Sequence, residues 1–268
     1  MATSNPAFSR NAAFGEPGAL ASTKVLSPTE LQDLYNAPAA AAQDTDRMTY
    51  EDTIRKTVLS FVLLLVTAAL GWVLTPVTII PLILGGLVGL VLGLVNAFKK
   101  EPSPPLILAY AAAQGLFVGG ISVLFEQLAG GVVTQAVVAT LVVVGVTLAL
   151  FANGKIRASK KATKVFTIAM VGYLVFSLVN FVLVATGANT NAFGLRSETF
   201  FGIPLGLIIG VLVVIMAAYS LVLDFDFIQR GVNNRAPRKY GWSGAFGIML
   251  TVVWLYVELL RIFAIARE

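Results

Sequence analysis

The chain has 268 residues, of which 57% are apolar and 12% charged, against roughly 25% charged in a typical soluble domain. So few charges cannot clothe a soluble protein of this size, and the apolar residues fall in long blocks, as in a protein with several membrane spans. Cysteine and histidine are both absent, which excludes disulfides, thiolate catalysis, Cys/His metal sites and Ser-His-Asp hydrolysis. The net charge of +5 is no sign of nucleic-acid binding, because the bases sit in short loops between apolar blocks. Any pH sensing falls to carboxylates, since the usual sensor residue is missing.

Residues 1–50 are rich in Ala, Pro, Ser and Asn and lack apolar periodicity, which predicts a disordered, acidic tail. Within it, Ser27-Pro28-Thr29-Glu30 offers an N-cap, a first-turn proline and a capping-box glutamate, predicting one short helix to about Tyr35. No basic start with an early apolar run marks a signal peptide. From Thr57 onward the chain predicts an all-α integral membrane domain, a bundle of seven transmembrane helices. The spans are 57–75, 77–98, 104–127, 132–152, 165–187, 201–226 and 241–264, each near or above the ~20 residues that cross the hydrocarbon core. Spans 1 and 2 form a hairpin around Thr75-Pro76, and Pro104 and Pro105 open span 3, where a missing N–H costs little.

Fourteen bases flank these spans on one side, among them Lys99, Lys100, Lys160, Lys161, Arg230 and Arg238. Arg196, Arg261 and Arg267 fall on the other. Such asymmetry places the N-terminus in the cytoplasm and, with seven spans, the C-terminus outside.

Small residues recur every four positions at Gly85, Gly89 and Gly93, at Gly115 and Gly119, and at Gly202, Gly206 and Gly210. Such ridges let helix backbones approach closely where lipid supplies no hydrophobic drive. Asn96, Gln114, Tyr173, Asn180 and Tyr219 are expected to hydrogen-bond between helices.

Acids within spans carry the functional signal, because an ionisable group costs about 2.5–3.5 kcal/mol there on insertion scales. Asp224 and Asp226 lie roughly 200° apart around a helix and cannot share a face. Asp226 precedes Arg230 by four residues, the favourable order for a surface ion pair. Asp224 has no base three or four residues on and is the candidate sensor. On span 7, Thr251, Glu258 and Arg261 lie near one face, and Glu258–Arg261 is a pair at i, i+3. Glu258 stands about 24 Å above Trp242 at 1.5 Å per residue, toward the outer side.

With these residues in view, the chain resembles the Bax inhibitor-1 family of seven-span proteins, in a bacterial branch. The likeness rests on Met48-Thr49-Tyr50-Glu51-Asp52, on Gly115 to Ser122, on Asp224-Phe225-Asp226-Phe227-Ile228 with Gly231, and on Leu259-Leu260-Arg261-Ile262-Phe263. It implies a bundle whose last helix is surrounded by the others, in a bacterial plasma membrane. It also implies a pH-sensitive calcium leak, closed when an aspartate on span 6 and one on span 7 share a proton or a bond. Asp224 matches the first. For the second, aligning the closing Leu-Leu-Arg-Ile-Phe gives Thr251, and aligning the Leu-Tyr-x-acid pattern gives Glu258. Depth favours Thr251.

Two functions follow as expectations. One is a passive cation path, with calcium as the implied cargo, gated at Asp224. The other is a non-transporting membrane regulator that binds other membrane proteins, such as a protease, through the acidic tail. Catalysis is not expected: no Gly-x-Gly-Asp accompanies Asp224 as in an intramembrane aspartyl protease, and span 7 has no lysine to hold retinal. No cofactor and no nucleic-acid partner is expected; the lipid bilayer is the first partner.

Overall fold

A computed structural model describes residues 27–29, 32, 46–191 and 193–267. The acidic tail lies largely outside these residues, as does most of the short helix expected from Ser27, of which Pro28, Thr29 and Gln32 are helical. The rest forms seven long helices: α1 (Tyr50–Leu74), α2 (Ile80–Phe98), α3 (Pro104–Leu128), α4 (Val132–Ala152), α5 (Lys160–Ala185), α6 (Leu205–Asn233) and α7 (Gly241–Ile265). All seven are long and apolar enough to cross a membrane.

The helix starts follow from local chemistry. Thr49 caps α1 by accepting from the Asp52 N–H at 3.2 Å, so the helix begins seven residues before the apolar block. Ser159 does the same for α5, accepting from Ala162. Prolines occupy the first positions of α2 and α3. At α4 the Glu126 carboxylate accepts from the N–H groups of Gly131 and Val133, at 2.5 and 3.1 Å. An anion there also meets the positive end of the helix dipole.

The sixth span starts later than the sequence predicts. Residues 199–204 form a two-stranded hairpin, Thr199–Phe200 against Ile203–Pro204. Phe201 and Gly202 make its turn with φ of 53° and 78°, the double left-handed geometry that suits such hairpins. Gly202 is therefore a turn residue and no part of a helix ridge. A spacing of four cannot distinguish the two.

The other ridges close helix pairs. A Cβ on Gly85 would stand 2.7 Å from the Ala113 carbonyl oxygen, and one on Gly119 would stand 2.8 Å from the Trp72 nitrogen. Helices α1, α2 and α3 thus pack backbone on backbone. Gly206 and Gly210 of α6 lie under Ile265 and Ile262 of α7.

Helix α7 occupies the middle, packed against α6, α1, α4 and α3. Leu255, Leu259 and Leu260 join one buried cluster with Phe125, Ala136 and Ala217. Met249 and Val253 join a second with Leu64, Ile107 and Tyr110. Ile248 and Val252 lean on a third, built from Phe151, Leu221 and Phe225. By contrast α5 buries no residue. It meets α6 and the short turn Gly194–Arg196.

At the basic end, the chain before α1 is stitched to the loop between α6 and α7. Met48 N donates to Ala236 O at 2.7 Å and Arg238 N to Asp46 O at 2.8 Å. Asp52 pairs with Arg238 at 2.8 Å and with Lys56, and buried Met48 fills the space left by Gly231. Lys239 binds Glu101 at 2.9 Å and by that hydrogen bond holds the Glu101 carboxyl below its ordinary value.

Candidate functional site

Asp224 sits on α6 where that helix leans on α7. Thr251 Oγ1 donates to Asp224 Oδ2 at 2.7 Å. Ser220, one turn earlier on α6, lies 3.2 Å from the same hydroxyl. Gly247, one turn before Thr251, makes room for the carboxylate: a Cβ there would meet Asp224 Oδ1 at 2.8 Å. Thr251 is buried. Among the described residues, no arginine or lysine pairs with Asp224. The arrangement is a carboxylate held by one neutral hydroxyl, itself bonded to a second, between two packed helices. It can hold or release a proton, or offer its oxygens to a cation.

Asp226 turns away from Asp224 and pairs with Arg230 at 2.9 Å, with the arginine side chain 66% exposed. It is the surface pair that the spacing predicts. Such pairs contribute little, about 0–1 kcal/mol.

Glu258 lies two turns beyond Thr251, about 10 Å along α7 at 1.5 Å per residue. It does not reach Asp224. Its Oε1 accepts from Arg196 Nη1 at 2.8 Å, and its Oε2 accepts from Tyr173 Oη at 2.8 Å and from Arg261. Arg196 and Glu258 are 4% and 1% exposed, so this ion pair is enclosed. Arg196 also donates to Tyr173 at 3.1 Å and lies over the rings of Tyr173 and Phe176. Burial alone would lower the Arg196 pKa; Glu258 and Tyr173 outweigh it and hold that pKa above the ordinary value. The pair Glu258–Arg261 is present, as expected from spacing. The more deeply buried partner, Arg196, comes from 62 residues away in a turn and has no periodic signature. What could have flagged it is its isolation: a single base in a loop of the side that is otherwise poor in bases.

The remaining polar groups divide. Tyr219 bonds Thr163 of α5 at 2.9 Å, and Asn96 donates to Leu106 O of α3 at 3.2 Å. Both are interhelical, as the sequence predicts. Asn180 instead ties α5 to the adjoining loop, accepting from Leu195 N at 2.7 Å and donating to Phe193 O. The buried Gln114 Oε1 has no hydrogen-bond partner among the described residues. Ser122 and Tyr256, for which the sequence predicts no hydrogen bond, bond at 2.7 Å between α3 and α7. Among the described residues, no group of three or more acids that could hold a metal ion occurs.

Fold and site together define a seven-helix integral membrane protein with a half-buried carboxylate at the contact of its last two helices. The sequence profile of the family described as Bax inhibitor 1 like matches residues 5–268, and the chain belongs to that family. No curated protein is matched.

Proposed function

We propose that the chain is a passive, pH-sensitive cation leak, calcium included, whose path is gated where Asp224 meets Thr251. One observation supports this above the rest: the half-buried Asp224 carboxylate accepts from the Thr251 hydroxyl, with no basic partner among the described residues, between α6 and the central helix α7. A carboxylate kept within a span at such cost is the usual mark of an ion or proton path. With a hydroxyl in place of a second acid, the gate titrates in one shallow step, free of the splitting that two close carboxylates show. The protein acts as a conduit and catalyses no reaction. It lies in the bacterial plasma membrane with its N-terminus in the cytoplasm.

The test is calcium flux into proteoliposomes across the acid-to-neutral pH range. Wild type is expected to conduct with a pH-dependent rate, and Asp224→Asn to conduct at a rate that no longer follows pH. Asp226→Asn should retain the wild-type profile, because its carboxylate serves the pair with Arg230. Flux equal to that of protein-free vesicles would sink the leak and leave the regulator that docks other membrane proteins. Identical pH profiles for wild type and Asp224→Asn would remove Asp224 as the sensor.

Orientation is checked separately. The chain has no native cysteine, so single cysteines label cleanly. Ala158→Cys and Asn234→Cys should react from the cytoplasmic side, and Asn189→Cys from outside. The opposite pattern overturns the assigned sidedness.

A further inference from the structure

We propose that the cavity beside Arg261 is a binding site for an oxyanion, a phosphate or carboxylate group brought by a lipid headgroup or free in solution. The cavity has a volume of about 380 Å³ and lies between α5, α7 and the turn that carries Arg196. Tyr173, Ser177, Asn180 and Trp254 line it together with the two arginines.

Charge is the first argument. Arg196 and Arg261 both pair with Glu258, and among the described residues it is the one carboxylate that either of them pairs with. Two guanidinium groups against one carboxylate leave a net charge of +1. Glu258 is two turns inside the end of α7, and Arg261, which carries the surplus charge, is one turn inside it and borders the cavity. The site is therefore one anion short.

Donor geometry is the second. Glu258 has both oxygens occupied. Arg196 spends its two terminal nitrogens on Glu258, Tyr173 and Ser177. Arg261 spends only Nη1, on Glu258. Its Nε and Nη2 make no hydrogen bond to described residues, and its side chain, 24% exposed, borders the cavity. A guanidinium with two idle N–H edges is the group that grips a phosphate or carboxylate in bidentate fashion.

Access is the third. The wall formed by α5 buries no residue, and Phe181 and Val184 form its apolar side. An anionic group carried on an acyl chain has an apolar approach from the bilayer. A small free anion meets the exposed part of Arg261, 24% of its side chain.

The experiment uses the full chain in a phosphate-free non-ionic detergent, with two probes. Native mass spectrometry counts phosphatidylglycerol bound from added lipid, and calorimetry titrates inorganic phosphate. Wild type is expected to bind at least one probe, and Arg261→Gln to bind it at least about tenfold more weakly, the loss of one charged hydrogen-bonding group. Retention of phosphatidylglycerol alone assigns the site to a headgroup; binding of phosphate alone assigns it to a free anion; both outcomes support the site. If Arg261→Gln does not fold, Arg261→Lys keeps the pair with Glu258 but loses the planar fork, and should bind several-fold more weakly. Binding of neither probe, or wild-type binding by whichever variant folds, overturns the proposal.

Discussion

Glu258→Ala is expected to destabilise the protein by about 3–5 kcal/mol, the usual cost of removing one member of a buried ion pair. The change strands Arg196 and Arg261 together. Arg196 is nearly enclosed and has no other carboxylate within reach among the described residues. Most of the penalty therefore comes from the abandoned cations, and the attraction that is lost contributes less. It follows that removing the cation as well should help: Arg196→Leu combined with Glu258→Leu is expected to recover much of the loss, because an apolar pair in this setting carries no desolvation cost. The measurement is unfolding of the purified protein in mild detergent by a denaturing detergent. A loss below about 1 kcal/mol for Glu258→Ala, the scale of exposed pairs, would mean that the cluster is open to water.

The second large effect is steric. Gly119→Ala puts a methyl 2.8 Å from the backbone of α1, at both the Ala68 carbonyl carbon and the Trp72 nitrogen. Backbone cannot rotate aside as a side chain can, so α1 and α3 must separate. Overpacking of this kind costs about 1–3 kcal/mol, and in a membrane no hydrophobic drive between helices offsets it. Gly172→Ala on α5 is the matched comparison, since a Cβ there meets nothing within 4 Å. It should leave stability unchanged or raise it slightly through helix propensity. Equal melting temperatures for the two variants would show that α1 and α3 do not pack as described.

These effects mark what can be read from sequence and what cannot. The spans are legible because a bilayer requires an apolar block of a minimum length, and length survives without any knowledge of contacts. Their ends are less so. Helix α1 starts at Tyr50 because Thr49 caps it, while hydropathy registers only the apolar run that begins later. Within the site, Thr251 falls opposite Asp224 because depth along two helices fixes the register. Glu258 and Arg261 are three apart on one helix and equally plain. Arg196 is different. Its side chain reaches into the bundle from a turn, and the partner lies 62 residues away, so no spacing rule connects them. Gly202 shows the reverse error, a regular spacing that continues past the end of the helix into a hairpin turn.

Among the described residues, two three-membered ion clusters stand in unlike electrostatic surroundings. Asp52 and Lys56 are about one-tenth exposed, but their partner Arg238 is 45% exposed. Dissolved ions therefore reach that clasp, and their screening acts over about 10 Å at 0.1 M. Glu258 and Arg196, 1% and 4% exposed, form a pair shielded from such screening, whereas Arg261 beside them is 24% exposed. Raising the ionic strength on the basic face weakens the clasp between the start of α1 and the loop that joins α6 to α7, and leaves the distant Arg196–Glu258 pair intact. The connection between the helices that carry Asp224 and Thr251 is thus tied to the salt content of one compartment alone.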